Sequence, residues 1–386
     1  MLRLDPFFLV SCYNKRVKFG FIGAYDPSYP RNAVIRKGLA ALGDEVAEYP
    51  APQGFKIWLR YPTLLARLAA GSPRSGPRVP LSDLDCFFVP EFCQKDVPLG
   101  RFLATLLAKP LVFDPLAPRY ETKILDWKRR PPSSLHAWWN FRIDAWSFRL
   151  SDLILADTGA HKDHFCRTYG VPAGRIGVIP VGYDDELFDP ERLSSGPRTG
   201  PFTVLFFGSF LPLHGVDSAV EAARVVLGRD PSVVFRFVGS GQTRARATEL
   251  AAAIGATNCR FEPWVPYHEI PALIAASDVC LGVFGRTAKA GRVVPHKLYQ
   301  SLGMRKPVIT ARTPAAEEFF THGENILLCG EPYAETIGDA VLALKKDAAL
   351  GERIAAGGHR LARERFTPIA LASALKNMIK KRWPRA

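Results

Sequence analysis

Val17-Lys18-Phe19-Gly20-Phe21-Ile22-Gly23-Ala24-Tyr25-Asp26-Pro27-Ser28-Tyr29-Pro30, running on through Gly43 to Glu45-Val46-Ala47-Glu48-Tyr49, decides the fold. An apolar run ends in glycine, a turn rich in Gly, Asp and Pro follows, a helical pattern covers Asn32–Leu42, Gly43 stops it, and Glu45–Tyr49 reads as a second strand. This is a βαβ opening, and the same alternation continues outward. Further strands are predicted at Cys86–Val89, Pro110–Phe113, Leu153–Ala156 and Ile176–Pro180. Near residue 190 the pattern breaks in Asp189-Pro190-Glu191-Arg192-Leu193-Ser194-Ser195-Gly196-Pro197, a composition suited to an exposed linker. It then restarts, with strands predicted at Phe202–Phe207, Val233–Val238, Cys259–Glu262, Val279–Val283, Pro307–Thr310 and Ile326–Cys329 and helices between them. A last helix, Pro368–Lys381, places Leu371, Leu375, Met378 and Ile379 on one face. The expectation is α/β architecture with two Rossmann-like domains facing each other across a cleft: residues 1–190, residues 191–365, and a terminal helix over 366–386 crossing back to the first domain.

Composition bounds the class. With 386 residues, 47% hydrophobic and 23% charged, the chain is neither a disulfide-stapled peptide nor a disordered one. The excess of 51 Lys+Arg over 37 Asp+Glu, a net +14, favours phosphate-bearing partners. The seven cysteines are scattered, without a C-x2-C pair, and read as reduced thiols of a cytoplasmic protein. No apolar run reaches about 18 residues, so any membrane contact is expected to be peripheral, on the inner face of the cytoplasmic membrane. No nucleic-acid partner is expected, because no binding motif or aromatic-interleaved basic stripe occurs.

Two glycine turns follow strands: Gly208-Ser209 with His214-Gly215 ahead of a helix, and Gly239-Ser240-Gly241. Small residues let backbone N–H groups approach a phosphate at a helix N-terminus. Neither turn carries the dinucleotide fingerprint, since the third glycine and the downstream acid are missing. Between Arg286 and Lys297 stand four cations (Arg286, Lys289, Arg292 and Lys297), His296 and no acid, in a loop and the first turn of a helix. Cations at a helix N-terminus oppose its dipole unless an anion binds there; a diphosphate is such an anion.

In order and spacing, Phe206-Phe207-Gly208-Ser209-Phe210, His214-Gly215-Val216-Asp217, Val238-Gly239-Ser240-Gly241, Pro295-His296-Lys297-Leu298-Tyr299-Gln300 and Gly303-Met304-Arg305-Lys306-Pro307-Val308 resemble the donor domain of the retaining family 4 glycosyltransferases of GT-B architecture. The resemblance covers roughly residues 200–365; in the first half it rests on Gly23, Gly182 and the order of elements. It implies transfer of a sugar from a UDP- or GDP-sugar to a lipid-linked or glycan acceptor, with retention and without a metal or other cofactor. Gly23, Gly208, Ser209, His214, Gly239, Ser240 and Gly241 would then hold the donor, Trp264 and Val265 would bracket the base, and Gln300 would meet the ribose. Arg286, Lys289, Arg292, Val294 and Lys297 would contact phosphates and sugar, with Arg292 and Lys297 in the chemistry. Two departures stand out. The family's Glu-x7-Glu pair is Arg292 and Gln300 here, and its diphosphate-clamping Arg and Lys are Ser209 and His214. These exchanges keep two other readings open: a nucleotide-sugar-binding protein with impaired catalysis, and a GT-B sugar-nucleotide epimerase.

In the first half, Asp114 after a strand either positions the acceptor hydroxyl or caps a turn, and Glu121 and Asp126 follow it. His161 and His164 lack a further ligand set, so no metal site is expected. The acid-free run Lys56–Ser82 carries Lys56, Arg60, Arg67, Arg74 and Arg78 beside an apolar face. It either lies on an anionic membrane or packs on its own domain.

Overall fold

The computed structural model describes residues 16–51, 57–69, 77, 79–193 and 200–384. Its strands are β1 Lys18–Gly23, β2 Glu45–Pro50, β3 Cys86–Val89, β4 Leu111–Phe113, β5 Leu153–Ala156, β6 Ile176–Val178, β7 Phe202–Phe207, β8 Val233–Val238, β9 Cys259–Glu262, β10 Val279–Leu281, β11 Val308–Ala311 and β12 Leu327–Cys329. The helices are α1 Pro30–Ala41, α2 Ile57–Ala69, α3 Val97–Leu106, α4 Leu135–Leu150, α5 Gly159–Tyr169, α6 Val216–Arg229, α7 Arg244–Ala253, α8 Ile270–Ala275, α9 His296–Gly303, α10 Pro314–Phe319, α11 Tyr333–Lys346, α12 Ala348–Arg365 and α13 Pro368–Arg382.

Each half builds a six-stranded sheet in which every pairing is parallel: β2-β1-β3-β4-β5-β6 and β12-β11-β10-β7-β8-β9. The apolar runs suit this, since strands covered on both faces read as unbroken hydrophobic stretches; Leu205, Phe206 and Phe207 in β7 are all buried. The strand order reverses between β1 and β3 in the first sheet and between β7 and β10 in the second. Such switch points, at the carboxyl ends of strands, are where open α/β sheets bind ligands.

The final helix leaves the second domain and docks on the first. Leu371, Leu375 and Ile379 join the core that holds Val34 and Leu39 of α1. At the crossing, a Cβ on Gly38 would lie 1.9 Å from the Pro368 carbonyl oxygen, so only glycine fits. Beside it the buried Lys376 ammonium donates to Asp44 at 2.6 Å.

Helix α12 was not assigned from sequence, because Gly351, Gly357 and Gly358 lower its helical propensity. The structure uses two of them for close approach, a Cβ at Gly357 falling 2.1 Å from the Glu324 carbonyl and one at Gly358 falling 2.6 Å from Leu302. Helix α2 packs on its own domain rather than presenting a free basic face. Leu64 and Leu68 enter the core, Arg60 pairs with Asp96 at 3.1 Å, and Arg67 donates to the Pro50 carbonyl. Lys56, Arg74 and Arg78 lie outside the described residues.

Candidate functional site

A cleft of about 830 Å³ opens between the carboxyl ends of the two sheets. The second domain contributes Gly208, Ser209, His214, Trp264, Lys289, Val294, Lys297 and Gln300 to its wall; Tyr29, Phe92, Gln94, Arg119, Lys123 and Trp127 face them from the first.

The floor forms where β7 ends. Gly208 takes φ +111°, which turns the chain sharply, and Gly215 at φ +60° starts α6. The His214 imidazole is buried and hydrogen-bonded through Nδ1 to the Ser209 carbonyl, which fixes the loop. Burial, reinforced by the neighbouring Lys297 charge, lowers its pKa well below the ordinary value, so His214 is a neutral group here.

Lys297 stands in the first turn of α9 and reaches the same floor. Its Nζ lies 3.6 Å from the centroid of the Phe206 ring and has no hydrogen-bond partner among the described residues. Burial pushes this ammonium well below the lysine range. A buried cation without a counter-charge, beside the bare backbone of Gly208 and a helix N-terminus, is a place prepared for an anion.

Trp264 is 61% exposed and projects into the cleft, while Val265 turns inward against the core that contains Ile274. The pair therefore does not bracket a base; Trp264 alone offers a stacking face. Gln300 lines the cleft and donates through Nε2 to Tyr267 Oη at 3.3 Å, and Val294 lines it as well.

Several expected donor residues lie elsewhere. Gly239, Ser240 and Gly241 are not among the residues that line the cleft: Phe210 N–H donates to the Ser240 carbonyl at 2.8 Å, and a Cβ on Gly239 would meet Gly208 O at 2.0 Å. Their glycines permit loop-on-loop packing. Gly23 backs onto Cys93 and Asp96, away from the cleft wall. Arg286 is exposed and pairs with Glu331 at 3.1 Å.

Asp114 takes the turn-capping alternative and not the acceptor-positioning one. Its carboxylate accepts from Arg31 Nε at 2.6 Å, both side chains are 1% exposed, and its other oxygen accepts the Leu116 N–H. Arg31 goes on to the Ile179 and Pro180 carbonyls at 3.1 and 2.8 Å. This carboxylate ties the ends of β4 and β6 together and meets no acceptor.

Arg292 does not line the cleft either; it crosses to the first domain. Its guanidinium holds the fully buried Glu121, which opens a π-helical turn over Glu121–Asp126. Glu121 also accepts from His161 Nε2 at 3.1 Å, and His161 Nδ1 meets Asp157 at 2.6 Å. Burial alone would lower the His161 pKa, but the Asp157 and Glu121 charges outweigh it and push it up to about 9. Burial alone would raise that of Glu121, but His161, Lys289 and Arg292 hold it well below the carboxylate range. His164, 3.7 Å from Glu121, is instead lowered to about 4, chiefly by burial. His161 thus links two carboxylates, while the Nε2 of His164 has no hydrogen-bond partner among the described residues. Lys289 bridges the domains too, donating to Thr122 Oγ1 at 2.9 Å.

On the first domain's wall, sequence reasoning missed Arg119 and Lys123. Burial lowers the pKa of Lys123, and Arg119, Arg129 and Lys95 lower it further by repulsion. The cluster comes from three separated segments, and only the short spacing of Arg119 and Lys123 was legible in the chain.

Residues 188–360 match the family described as Glycosyl transferases group 1. A D-inositol 3-phosphate glycosyltransferase of Thermomonospora curvata is 29% identical over 236 residues, 55% of this chain and 53% of its own. The putative colanic acid biosynthesis glycosyl transferase WcaI of Escherichia coli is 35% identical over 109 residues, 28% of this chain and 26% of its own. The chain thus spans about half the length of the first of these relatives and less of the second. Among solved structures, Anabaena HepE in complex with UDP-glucose aligns with TM-score 0.67 at 17% identity, over 95% of this chain and all of that one. Sucrose-phosphate synthase of Thermosynechococcus elongatus aligns with TM-score 0.68 at 14% identity, over 96% of this chain and all of that one. These likenesses show the fold, which is GT-B.

Proposed function

We propose, from the match of residues 188–360 to glycosyl transferases group 1, that this chain is a GT-B glycosyltransferase acting from a nucleotide-sugar donor, with retention and without a required metal. Residues 191–365 hold the donor, residues 1–190 hold the acceptor, and 366–386 tie the two together. Lys297 carries this reading: an unpartnered, buried ammonium over Phe206 fits a donor phosphate. As the bond from the anomeric carbon to the diphosphate breaks, negative charge grows on the departing oxygen. Lys297, Lys289 and the N-terminus of α9 stabilise that charge. Trp264 stacks on the base and Gln300 hydrogen-bonds the ribose.

The donor is a UDP-sugar before a GDP-sugar, a choice supported by the UDP-glucose complex of HepE. The acceptor, lipid-linked or glycan, carries an anionic group that meets Arg119 and Lys123; the inositol phosphate named for the Thermomonospora relative has that chemistry. A lipid-linked acceptor places the enzyme at the inner face of the cytoplasmic membrane.

A thermal-shift panel of UDP-, GDP-, ADP- and dTDP-sugars tests the donor site, since a ligand at 100 times its Kd adds about 2.7 kcal/mol. A UDP-sugar should raise the Tm of the wild type and leave Lys297→Ala unmoved. No shift with any donor, or an equal shift in both proteins, overturns the reading. The pairing of Arg292 with Glu121 favours a second reading, a binder with impaired catalysis. It predicts a shift with no sugar transferred to any acceptor.

A further inference from the structure

Helix α4 buries Ala137, Ile143 and Phe148 but carries a second apolar strip on its solvent face. Asn140, Asp144 and Ser147 point inward and are buried, whereas Leu135 is 86% exposed and Trp138, Trp139 and Trp146 are 56%, 46% and 43% exposed. The indoles form one continuous strip. Trp139 lies 6.1 Å from Trp138 and 5.9 Å from Trp146, ring centre to ring centre, with the Arg142 guanidinium 5.9 Å from Trp138 and 5.2 Å from Trp146. The neighbouring α3 adds the exposed Phe102 and Leu106. A patch of this kind marks an interaction site.

Its charge says what it meets. Lys128, Arg129, Arg130, Arg142 and Arg149 are all exposed, and no acid occurs from Trp127 to Ile143. The first acid after them, Asp144, is buried and accepts the N–H groups of Arg119 and Tyr120 at 3.0 and 2.7 Å. Indoles belong at the level of lipid headgroups, with apolar rings toward the acyl chains and N–H toward water, and cations among them attract anionic phospholipid. An acid-free surface that pairs tryptophan with arginine fits that boundary better than the apolar core of a protein interface, where charge is depleted.

We propose that the outer face of α4, with the loop before it, docks this protein on a bilayer containing anionic phospholipid. The same chain segment leads into the cleft: Trp127 and Lys123 line it, and the Arg129 guanidinium stacks 4.3 Å from the Trp127 ring. Docking by this face brings the acceptor wall to the headgroup layer. Delivery of a lipid-linked acceptor rests on the glycosyl-transfer reading, whereas docking does not.

Flotation of the full chain with vesicles of phosphatidylcholine alone and of phosphatidylcholine with a quarter phosphatidylglycerol tests the docking. The wild type should float with the anionic vesicles only and lose at least tenfold of that binding in 0.5 M NaCl. Brominated acyl chains should quench its tryptophan fluorescence. Trp138→Ser/Trp139→Ser/Trp146→Ser and, separately, Arg130→Glu/Arg142→Glu/Arg149→Glu should each lower binding at least tenfold while keeping the nucleotide-sugar thermal shift of the wild type, which reports an intact fold. The proposal falls if the wild type stays with the soluble fraction, or if both variants float as it does. It falls also if sedimentation shows a wild-type dimer that the tryptophan variant dissolves, since a second copy then covers the face. Vesicle binding without any donor shift upholds docking and removes the transferase reading; a donor shift without vesicle binding does the reverse.

Discussion

Lys297 has its charged form disfavoured by burial, and a diphosphate beside it favours that form again, so donor binding raises its pKa. Donor binding is therefore expected to take up protons. Calorimetry of UDP binding near neutral pH, in two buffers of different ionisation enthalpy, should give binding heats that differ by the proton uptake. In Lys297→Met that difference should shrink; a difference as large as in the wild type would exclude Lys297 as the group that takes up the proton. Lys297 was legible because the cation-rich stretch up to it ends in a helix start. Arg292, in the same stretch, was not: its partner Glu121 is 171 positions away, and no local pattern announces such a pair. Asp114 shows the same limit. Its place after a strand is visible in sequence, but the opposing Arg31 is supplied by another element.

Among elements, apolar periodicity found every strand within a few residues, because the central β-runs such as Cys86–Val89 and Leu153–Ala156 are buried throughout. What it could not show was which helix faces lie unburied, so α2 drew attention for cations that serve its own domain while α4 escaped notice. The joint between α1 and α13 gives two stability predictions. Replacing Gly38 by Ala drives a methyl group into the Pro368 carbonyl, and urea unfolding should register a loss of at least about 2 kcal/mol. Lys376→Ala leaves Asp44 buried without its cation and should cost about 3–5 kcal/mol. If either variant unfolds with the wild-type midpoint, the helix does not dock as described.

For the whole molecule, the two domains are held face to face by Arg292 on Glu121, Lys289 on Thr122, and Glu318 accepting the Gly159 N–H at 2.6 Å. His161 backs this contact. Its pKa is raised from 6.5 to about 9, so its stabilising contribution is complete below pH 6.5 and disappears as pH climbs through 9. The Tm should fall by about 5–10 °C between pH 6 and pH 9.5, and His161→Gln should flatten that slope. Glu121, held low, acts in the opposite sense: its contribution is present above the ordinary carboxylate pKa and is lost only in strong acid. Glu121→Gln should loosen the domain contact, and small-angle scattering should report a larger radius of gyration than for the wild type. An unchanged radius would mean that closure does not depend on the pair. The two-domain plan was legible from the restart of the strand pattern after residue 190, whereas the ion pairs that close it join distant segments and had to be seen.

The return of α13 to α1 has a consequence for the order in which the protein is made. Asp44 leaves the ribosome 332 residues before the lysine that neutralises it. Until then the first domain lacks the cation that pairs with this carboxylate and carries an open apolar groove where Leu371 and Leu375 belong. The second domain, whose sheet is complete at residue 329, can fold as a unit while its predecessor waits. The first domain to be synthesised is the last to be finished.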